Sequence, residues 1–295
     1  MKEITILSGK GGTGKTTITS AIASVAKQAV ICDNDVDAAD LHLILQPRVL
    51  ETNTFFGAWQ AQIKQDKCDQ CGTCQEHCRF DAIQKNKMGN YIINPIKCEG
   101  CRLCERVCPS NAILSIRNSN NFWFVSATRL GDFVHAKMGP GEENSGKLVT
   151  QVRTKAKDIA EHTKAQYILN DGPPGIGCAT ISSLTGTNLV LIIVEPTKSG
   201  LHDAKRLVDL IKSFNIDSFI VINKYDINEE VTRKIEDYAA SESIEVIAKI
   251  PFDNEMVEAM LEGKTIVEYN PGSLISEHIK KIWKSIKNHG SIQTT

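Results

Sequence analysis

Several absences narrow the reading of this chain before any motif is considered. No apolar run approaches the roughly 20 residues needed to cross a bilayer. There is no excess of positive charge: 34 Lys and Arg face 35 Asp and Glu, leaving a formal net charge of -1 and a pI near 6.7. A broad basic surface for nucleic acid is therefore excluded as the main mode of action. The opening residues, MKEITILSGK, run straight into a strand and a loop, without the basic and apolar regions of a signal peptide. A cytoplasmic protein is expected, with neither nucleic acid nor membrane among its partners.

Apolar residues make up 41% of the 295 positions, enough for a substantial core in one large domain or two. EITIL (3–7), AVICD (29–33), YILND (167–171), LVLIIVEP (189–196), FIVINK (219–224) and EVIAKIP (245–251) read as strands. Between them lie helical stretches: 15–29, with Ile18, Ala21, Ile22, Val25 and Ala26 on one face, then 202–214 and 228–241. This alternation predicts an α/β fold, a mostly parallel sheet with helices on both faces. It is interrupted at about 63–115, so the expected domains are 1–62, an insertion over 63–115, and 116–295.

Ten cysteines are many where disulfides do not persist, and eight of them fall between Cys68 and Cys108. CDQCGTCQEHCRFDAI (68–83) and CEGCRLCERVCPSNAI (98–113) match at every cysteine and at the closing Ala-Ile. Such regular crowding points to metal rather than to disulfides.

SGKGGTGKTT (8–17) holds a second chemistry. Gly9, Gly14, Lys15 and Thr16 have the G-x-x-x-x-G-K-[ST] spacing, between a strand and a helix. Glycines let backbone N–H groups converge on a phosphate, and the helix N-terminus adds its positive end. Lys15 is expected to neutralise phosphate charge and Thr16 to bind Mg2+. A second lysine, Lys10, has no role in that spacing alone.

The stretch Lys10-Gly11-Gly12-Thr13-Gly14-Lys15-Thr16, followed by Thr17, resembles the deviant-Walker ATPases of the MinD superfamily, which include ParA-type proteins and the nitrogenase iron protein. The resemblance implies a P-loop NTPase fold, ATP and ADP as ligands, and a homodimer formed across the nucleotide site. In it Lys10 reaches the phosphates bound by the other subunit, acting as an arginine finger does. DNDVDAADLHL (33–43) resembles the first switch of that family: Asp35 matches the residue that positions water, Asp37 is its nearby alternative, and Asp33 an outer Mg2+ contact. NDGPPG (170–175) resembles its second switch, with Asp171 holding Mg2+ through water and Gly175 sensing the γ-phosphate. Asn223 matches the position that reads adenine, although the string Asn-Lys-x-Asp also occurs in GTPases. Pro251, in IPFD, is placed against the base.

Two copies of C-x2-C-x2-C-x3-C are the signature of a two-cluster bacterial ferredoxin, a small α+β domain. In that arrangement Cys68, Cys71, Cys74 and Cys108 bind one 4Fe–4S cluster, and Cys98, Cys101, Cys104 and Cys78 the other. The second copy ends Cys108-Pro109, as such ferredoxins do, whereas the first has Cys78-Arg79. Zinc is the competing metal, but the order of all eight cysteines favours clusters. Arg79, Arg102 and Arg106 are candidates for docking an acidic redox partner, or are simply solvated.

The chain as a whole resembles a MinD-superfamily ATPase carrying an inserted ferredoxin domain. That resemblance implies an ATP-dependent dimer coupling nucleotide state to electron transfer toward an unidentified redox or iron–sulfur acceptor protein. The alternatives are an ATPase that assembles or delivers clusters, and an ATP-switched spatial regulator whose clusters are structural. Three further stretches complete the reading. Gly141–Val149 is a helix start, a nucleotide-responsive loop, or both. Cys178 follows the second switch, where the nitrogenase iron protein also carries a ligating cysteine, but a buried structural thiol is expected here, as for Cys32. The amphipathic stretch 273–287 is expected to dock on the sheet rather than grip a membrane.

Overall fold

The computed structural model describes residues 1–57, 59–117, 119–139 and 145–292. Along the chain, β1 (Lys2–Ser8) leads through the glycine loop into α1 (Lys15–Val25), then β2 (Ala29–Asp33), α2 (Leu41–Leu45) and β3 (Arg48–Phe55). The cysteine-rich stretch forms β4 (Trp59–Ile63), α3 (Thr73–Glu76), β5 (Ile83–Lys85), β6 (Tyr91–Ile93), α4 (Leu103–Val107) and β7 (Ile113–Arg117). A hairpin of β8 (Asn121–Thr128) and β9 (Gly131–Lys137) precedes α5 (Ser145–Thr163), β10 (Tyr167–Pro174), α6 (Cys178–Leu184) and β11 (Leu189–Val194). Then come α7 (Lys198–Ser213), β12 (Asp217–Asn223), α8 (Glu229–Ser241), β13 (Glu245–Ile250), α9 (Glu255–Leu261), α10 (Ile266–Tyr269) and α11 (Leu274–Asn288). Contacts divide the chain into two compact units: Met1–Asn53, Trp123–Lys137 and Ser145–Thr295 form one, Thr54–Phe122 and Met138–Asn144 the other.

The first unit is built on a nine-stranded sheet in the order β13-β12-β11-β1-β10-β2-β9-β8-β3, parallel from β13 through β9. Alternate residues of β11 show why helices cover both faces. Leu189, Leu191 and Ile193 join the core that takes Ile18 and Ile22 of α1, while Val190, Ile192 and Val194 join that of α7 and α8. The expected α/β P-loop architecture is therefore present. Strands β3, β8 and β9 are not legible in the sequence. β3, at the sheet edge, has the polar sequence RVLETNTF and is mostly exposed, so it lacks the alternation that marks a half-buried strand.

The polar end of YILND also has a physical reason. Asn170 is buried and donates to Glu3 Oε1 at 2.8 Å and to Thr5 Oγ1 at 3.2 Å. Glu3, itself 3% exposed, is held further by Arg153 and Lys157 of α5, at 2.7 and 3.0 Å. A buried carboxylate of this kind is tolerated because it is paired and hydrogen-bonded.

Ser145 opens α5, as one reading of Gly141–Val149 expects, while residues 141–144 lie outside the described residues. The stripe of α11, Ile275, Ile279, Ile282, Trp283 and Ile286, is buried in the core shared with α1. The Trp283 ring meets Tyr167 edge-on at 4.9 Å. This helix docks on the sheet, and no helix among the described residues is long and apolar enough to span a membrane. Trp283→Ala is expected to cost about 3–5 kcal/mol in urea unfolding, the range for deleting a large buried aromatic. A loss below about 1 kcal/mol contradicts this packing role.

Candidate functional site

The glycine loop is folded tightly by its neighbours. A Cβ on Gly9 would stand 2.5 Å from the Asp203 backbone, and one on Gly14 2.4 Å from Asn223 Nδ2, so neither position admits a side chain without movement. Asn223, at the end of β12, donates to the Thr13 carbonyl at 2.8 Å. The loop opens α1, and β10 brings Asp171 beneath it. Asp171 accepts from Lys15 Nζ at 2.8 Å, Thr16 Oγ1 at 2.7 Å and Thr19 Oγ1 at 2.9 Å. Sequence reasoning missed Thr19. Its signal was its place one helical turn after Lys15.

Three carboxylates crowd this one lysine. Asp35 Oδ2 lies 4.0 Å from Lys15 Nζ. Asp33 is fully buried, its carboxylate accepting the backbone N–H groups of Asp35 and Leu41 at 3.0 and 3.3 Å. Burial, then the neighbouring Asp171, pushes the Asp33 carboxyl well above its ordinary range. Burial raises Asp35 to about 6, against the pull of Lys15. Burial alone would lower Lys15, but Asp171, with Asp33 and Asp35, outweighs it and the net shift is upward. The donor set thus holds more negative charge than its single lysine balances. Asp37, the alternative to Asp35, is less buried and raised by burial alone.

Gly175, with φ +81°, follows Pro174 and donates to the Ser8 carbonyl at 2.9 Å, which places it against the first glycine of the loop. A cavity of about 670 Å³ extends from Gly11–Thr17 past Asp35 and Asn223 to Pro251 and Phe252. Leu43, Met256, Val257, Met260 and Leu261 give it an apolar wall. Its volume is that of a small-molecule site. Lys224 and Asp226 of the Asn-Lys-x-Asp string have partners already: Lys224 pairs with Glu195 at 3.1 Å, and Asp226 accepts from Phe252 N–H at 2.7 Å.

Lys10 does not project freely. Its Nζ lies 3.1 Å from Glu195 Oε2 and donates to Thr197 Oγ1 at 3.0 Å. Burial would raise the Glu195 carboxyl, but its bonds to Lys10 and Lys224 win and hold it below the usual value. Glu195 as the partner of both lysines is a second residue the sequence did not single out.

In the second unit β4 pairs antiparallel with β7, and β5 with β6, over a small core of Ala61, Cys74, Ile83, Tyr91 and Ile113. The internal repeat is also a repeat of backbone shape. Gln70 and Gly100, Gly72 and Arg102, and Asp81 and Asn111 are equivalent pairs, and all six have positive φ. Two small cavities result. Cys68, Cys71, Cys74 and Cys108 line one, and Cys78, Cys98, Cys101 and Cys104 line the other. No cysteine among the described residues is in a disulfide. Nor do three His, Cys, Asp or Glu groups among them stand close enough to hold a single ion.

Arg102 stacks on Trp59, 4.3 Å from the ring centre, and forks to Glu105 at 2.9 and 3.3 Å, so it is not a free docking charge. Cys32 is buried as expected. Cys178 is not: it is exposed at the first turn of α6, whose inward face is Ala179, Thr180, Ser183 and Leu184.

The family described as the CobQ/CobB/MinD/ParA nucleotide binding domain matches residues 4–266. A Methanocaldococcus jannaschii protein described as uncharacterized is 32% identical over 288 residues, covering 97% of this chain and 96% of that one. The septum site-determining protein MinD of Thermotoga maritima is 20% identical, covering 97% and 88%. Among solved structures, MinD of Pyrococcus horikoshii complexed with Mg-ADP aligns with a TM-score of 0.58 at 18% identity, over 100% of this chain and 99% of that one.

The carboxylate excess has a measurable consequence. The folded pKa of Asp35, about 6, lies above its ordinary 3.8, so the native state holds that proton more tightly than the unfolded chain. Stability contributed at this site is present below about pH 4 and declines as pH rises toward 6. Asp35→Asn is expected to stabilise the ligand-free protein by about 1–2 kcal/mol at pH 7 and hardly at all at pH 4, as read by urea unfolding at both values. An equal effect at both contradicts the charge argument.

Proposed function

The chain belongs to the CobQ/CobB/MinD/ParA nucleotide-binding family of P-loop ATPases, and on that footing we propose that it hydrolyses Mg·ATP as a homodimer and couples nucleotide state to electron transfer. The electron carriers are two 4Fe–4S clusters held by the cysteine unit, an inserted ferredoxin-like domain over about 63–115. One observation carries this reading: eight cysteines divide four and four about two cavities, in a chain that also has the Lys15–Asp171 site.

Each side chain then has a task. Backbone N–H groups from Gly9 to Thr17 and the α1 N-terminus cradle phosphate. Lys15 and Thr16, both bonded to Asp171, would serve phosphate and Mg2+, and Asp171 and Asp33 would hold the cation, which would supply charge neutralisation at the phosphates. Asp35 orients the attacking water and Gly175 senses the γ-phosphate. The apolar wall past Pro251 takes the base. Asn223 supports the loop through Thr13 and offers its remaining carbonyl oxygen toward adenine. That the Pyrococcus horikoshii MinD is complexed with Mg-ADP supports nucleotide as the ligand of this fold.

Lys10 completes the partner's site. To do so it leaves Glu195 and Thr197, so its grip on them is a resting state. Bound clusters supply one-electron storage. The chain's part is to give each four thiolates, Cys68, Cys71, Cys74 and Cys108 for one and Cys98, Cys101, Cys104 and Cys78 for the other, and to place an acceptor protein against them.

Two outcomes test this. Lys10→Ala is expected to leave ATP binding within a few-fold, while abolishing ATP-dependent dimerisation in light scattering and lowering turnover by about 100-fold or more. Unchanged dimerisation and turnover return Lys10 to a surface charge. Anaerobically purified protein is expected to hold about eight iron and eight sulfide per chain, two cubes of four, and to lose half on Cys108→Ser. Stoichiometric zinc in their place contradicts the cluster reading, and quantitative cluster transfer to an apo-ferredoxin on adding ATP favours delivery over electron transfer.

A further inference from the structure

The two cysteine cavities come from one repeated sequence, so the positions where the repeats differ are what can make them unequal. The residue two after the second cysteine is Thr73 in the first copy and Leu103 in the second. The residue two after the fourth cysteine is Phe80 in the first copy and Ser110 in the second. Each copy thus has one hydroxyl and one apolar side chain, and neither copy is the more polar at these positions.

The fold undoes that balance. The fourth cysteine of each copy lines the cavity of the other, which carries Ser110 to the cavity lined by Cys71, the cysteine beside Thr73, and Phe80 to that of Leu103. Thr73 Oγ1 stands 3.4 Å from Cys71 Sγ, and Ser110 Oγ stands 3.5 Å from Cys108 Sγ. Phe80 and Leu103 occupy the corresponding places on the second cavity. Among the described residues no side-chain hydroxyl meets the sulfur of Cys78, Cys98, Cys101 or Cys104. A metal-bound thiolate carries no hydrogen, so a hydroxyl beside it can only donate. A hydrogen bond to a ligand sulfur favours the reduced, more negative cluster and raises its potential.

The charged side chains that line the cavities do not offset this difference; outside the linings Arg106 replaces Glu76, and Arg79 stands where the second copy has Pro109. Asp69 and Glu99 hold equivalent positions. Arg102 and Glu105, which replace Gly72 and Gln75, neutralise one another through their forked pair. Exposure of the cysteines is similar between the copies, apart from Cys74, buried where Cys104 is half-buried. That difference acts at a distance, whereas the two hydroxyls act on the thiolates themselves.

We propose that Thr73 and Ser110 set the order of the two clusters, holding a single electron on the Cys68, Cys71, Cys74 and Cys108 cage by donating to Cys71 and Cys108. With both clusters bound, an electron on the one held by Cys78, Cys98, Cys101 and Cys104 would pass to its neighbour, the first oxidised and the second reduced by one electron. No proton and no third reactant enters. Leu103 and Phe80, each partly exposed, are the apolar half of the same device. This inference rests on the cluster reading above.

The experiment is a dithionite titration of anaerobically purified holoprotein followed by electron paramagnetic resonance, with iron and sulfide counted in each sample. The wild type is expected to show two midpoints. In Thr73→Val combined with Ser110→Ala the higher one falls by about tenfold in the reduction equilibrium, about 59 mV for one electron, and the lower one stays. Leu103→Thr, which adds a hydroxyl without removing one, is expected to raise the lower midpoint. If full iron is present but the double substitution moves only the lower midpoint, or neither, the inference fails while the cluster reading stands. A wild-type protein that cannot be loaded with iron overturns both.

Discussion

The carboxylate of Asp171 is the point on which the nucleotide-binding unit turns. It lies toward the C-terminal end of β10, in the middle of the nine-stranded sheet, and gathers Lys15, Thr16 and Thr19 from α1. Its neighbours Asp33 and Asp35 come from the end of β2, the next strand in the sheet, because parallel pairing brings Asp33 beside Asp171 in register. A parallel sheet therefore assembles three acids and one base at its C-terminal edge, where ligands of such folds bind. Without a ligand that edge is over-charged, and the strain appears as raised carboxyl pKa values rather than as a distorted backbone. A cation would offset that negative charge, whereas a phosphate alone would add to it.

Much of this was legible in the sequence, and for particular reasons. The strands β1, β2, β10, β11, β12 and β13 are short, apolar and buried, and a parallel sheet leaves that mark on any chain. Lys15, Thr16, Asp33, Asp35 and Asp171 could be named because their motifs end such strands or begin a helix. Thr19 and the pairing of Glu195 with two lysines were not foreseen, since the only marks they carry are a place one helical turn after Lys15 and a place at the end of a strand. The edge strand β3 is too polar to read. Cys178 was expected inside and lies outside, because one cysteine at a helix start carries no periodicity to say which way it faces.

The cysteine unit shows what sequence repeats convey and what they withhold. Spacing and matched Ala-Ile endings are enough to foresee two sets of four thiols. They do not show that the local differences between copies are sorted by the fold, so that polar substituents collect at one cavity and apolar ones at the other. That sorting depends on the crossing of Cys78 and Cys108, which the resemblance to two-cluster ferredoxins implies but the spacing of either copy alone does not.

Nucleotide switching and electron storage are separate capacities until one is shown to change the other. By reciprocity, if reduction alters the affinity for ATP, ATP must alter the midpoint by the same factor, with tenfold equal to about 59 mV for one electron. The most direct measurement is the cluster midpoints of one anaerobic holoprotein preparation without nucleotide, with Mg·ADP and with Mg·ATP. The expected result is a midpoint with Mg·ATP displaced from the other two. Identical midpoints in all three, with electron transfer to an added acceptor equally fast, contradict the coupling.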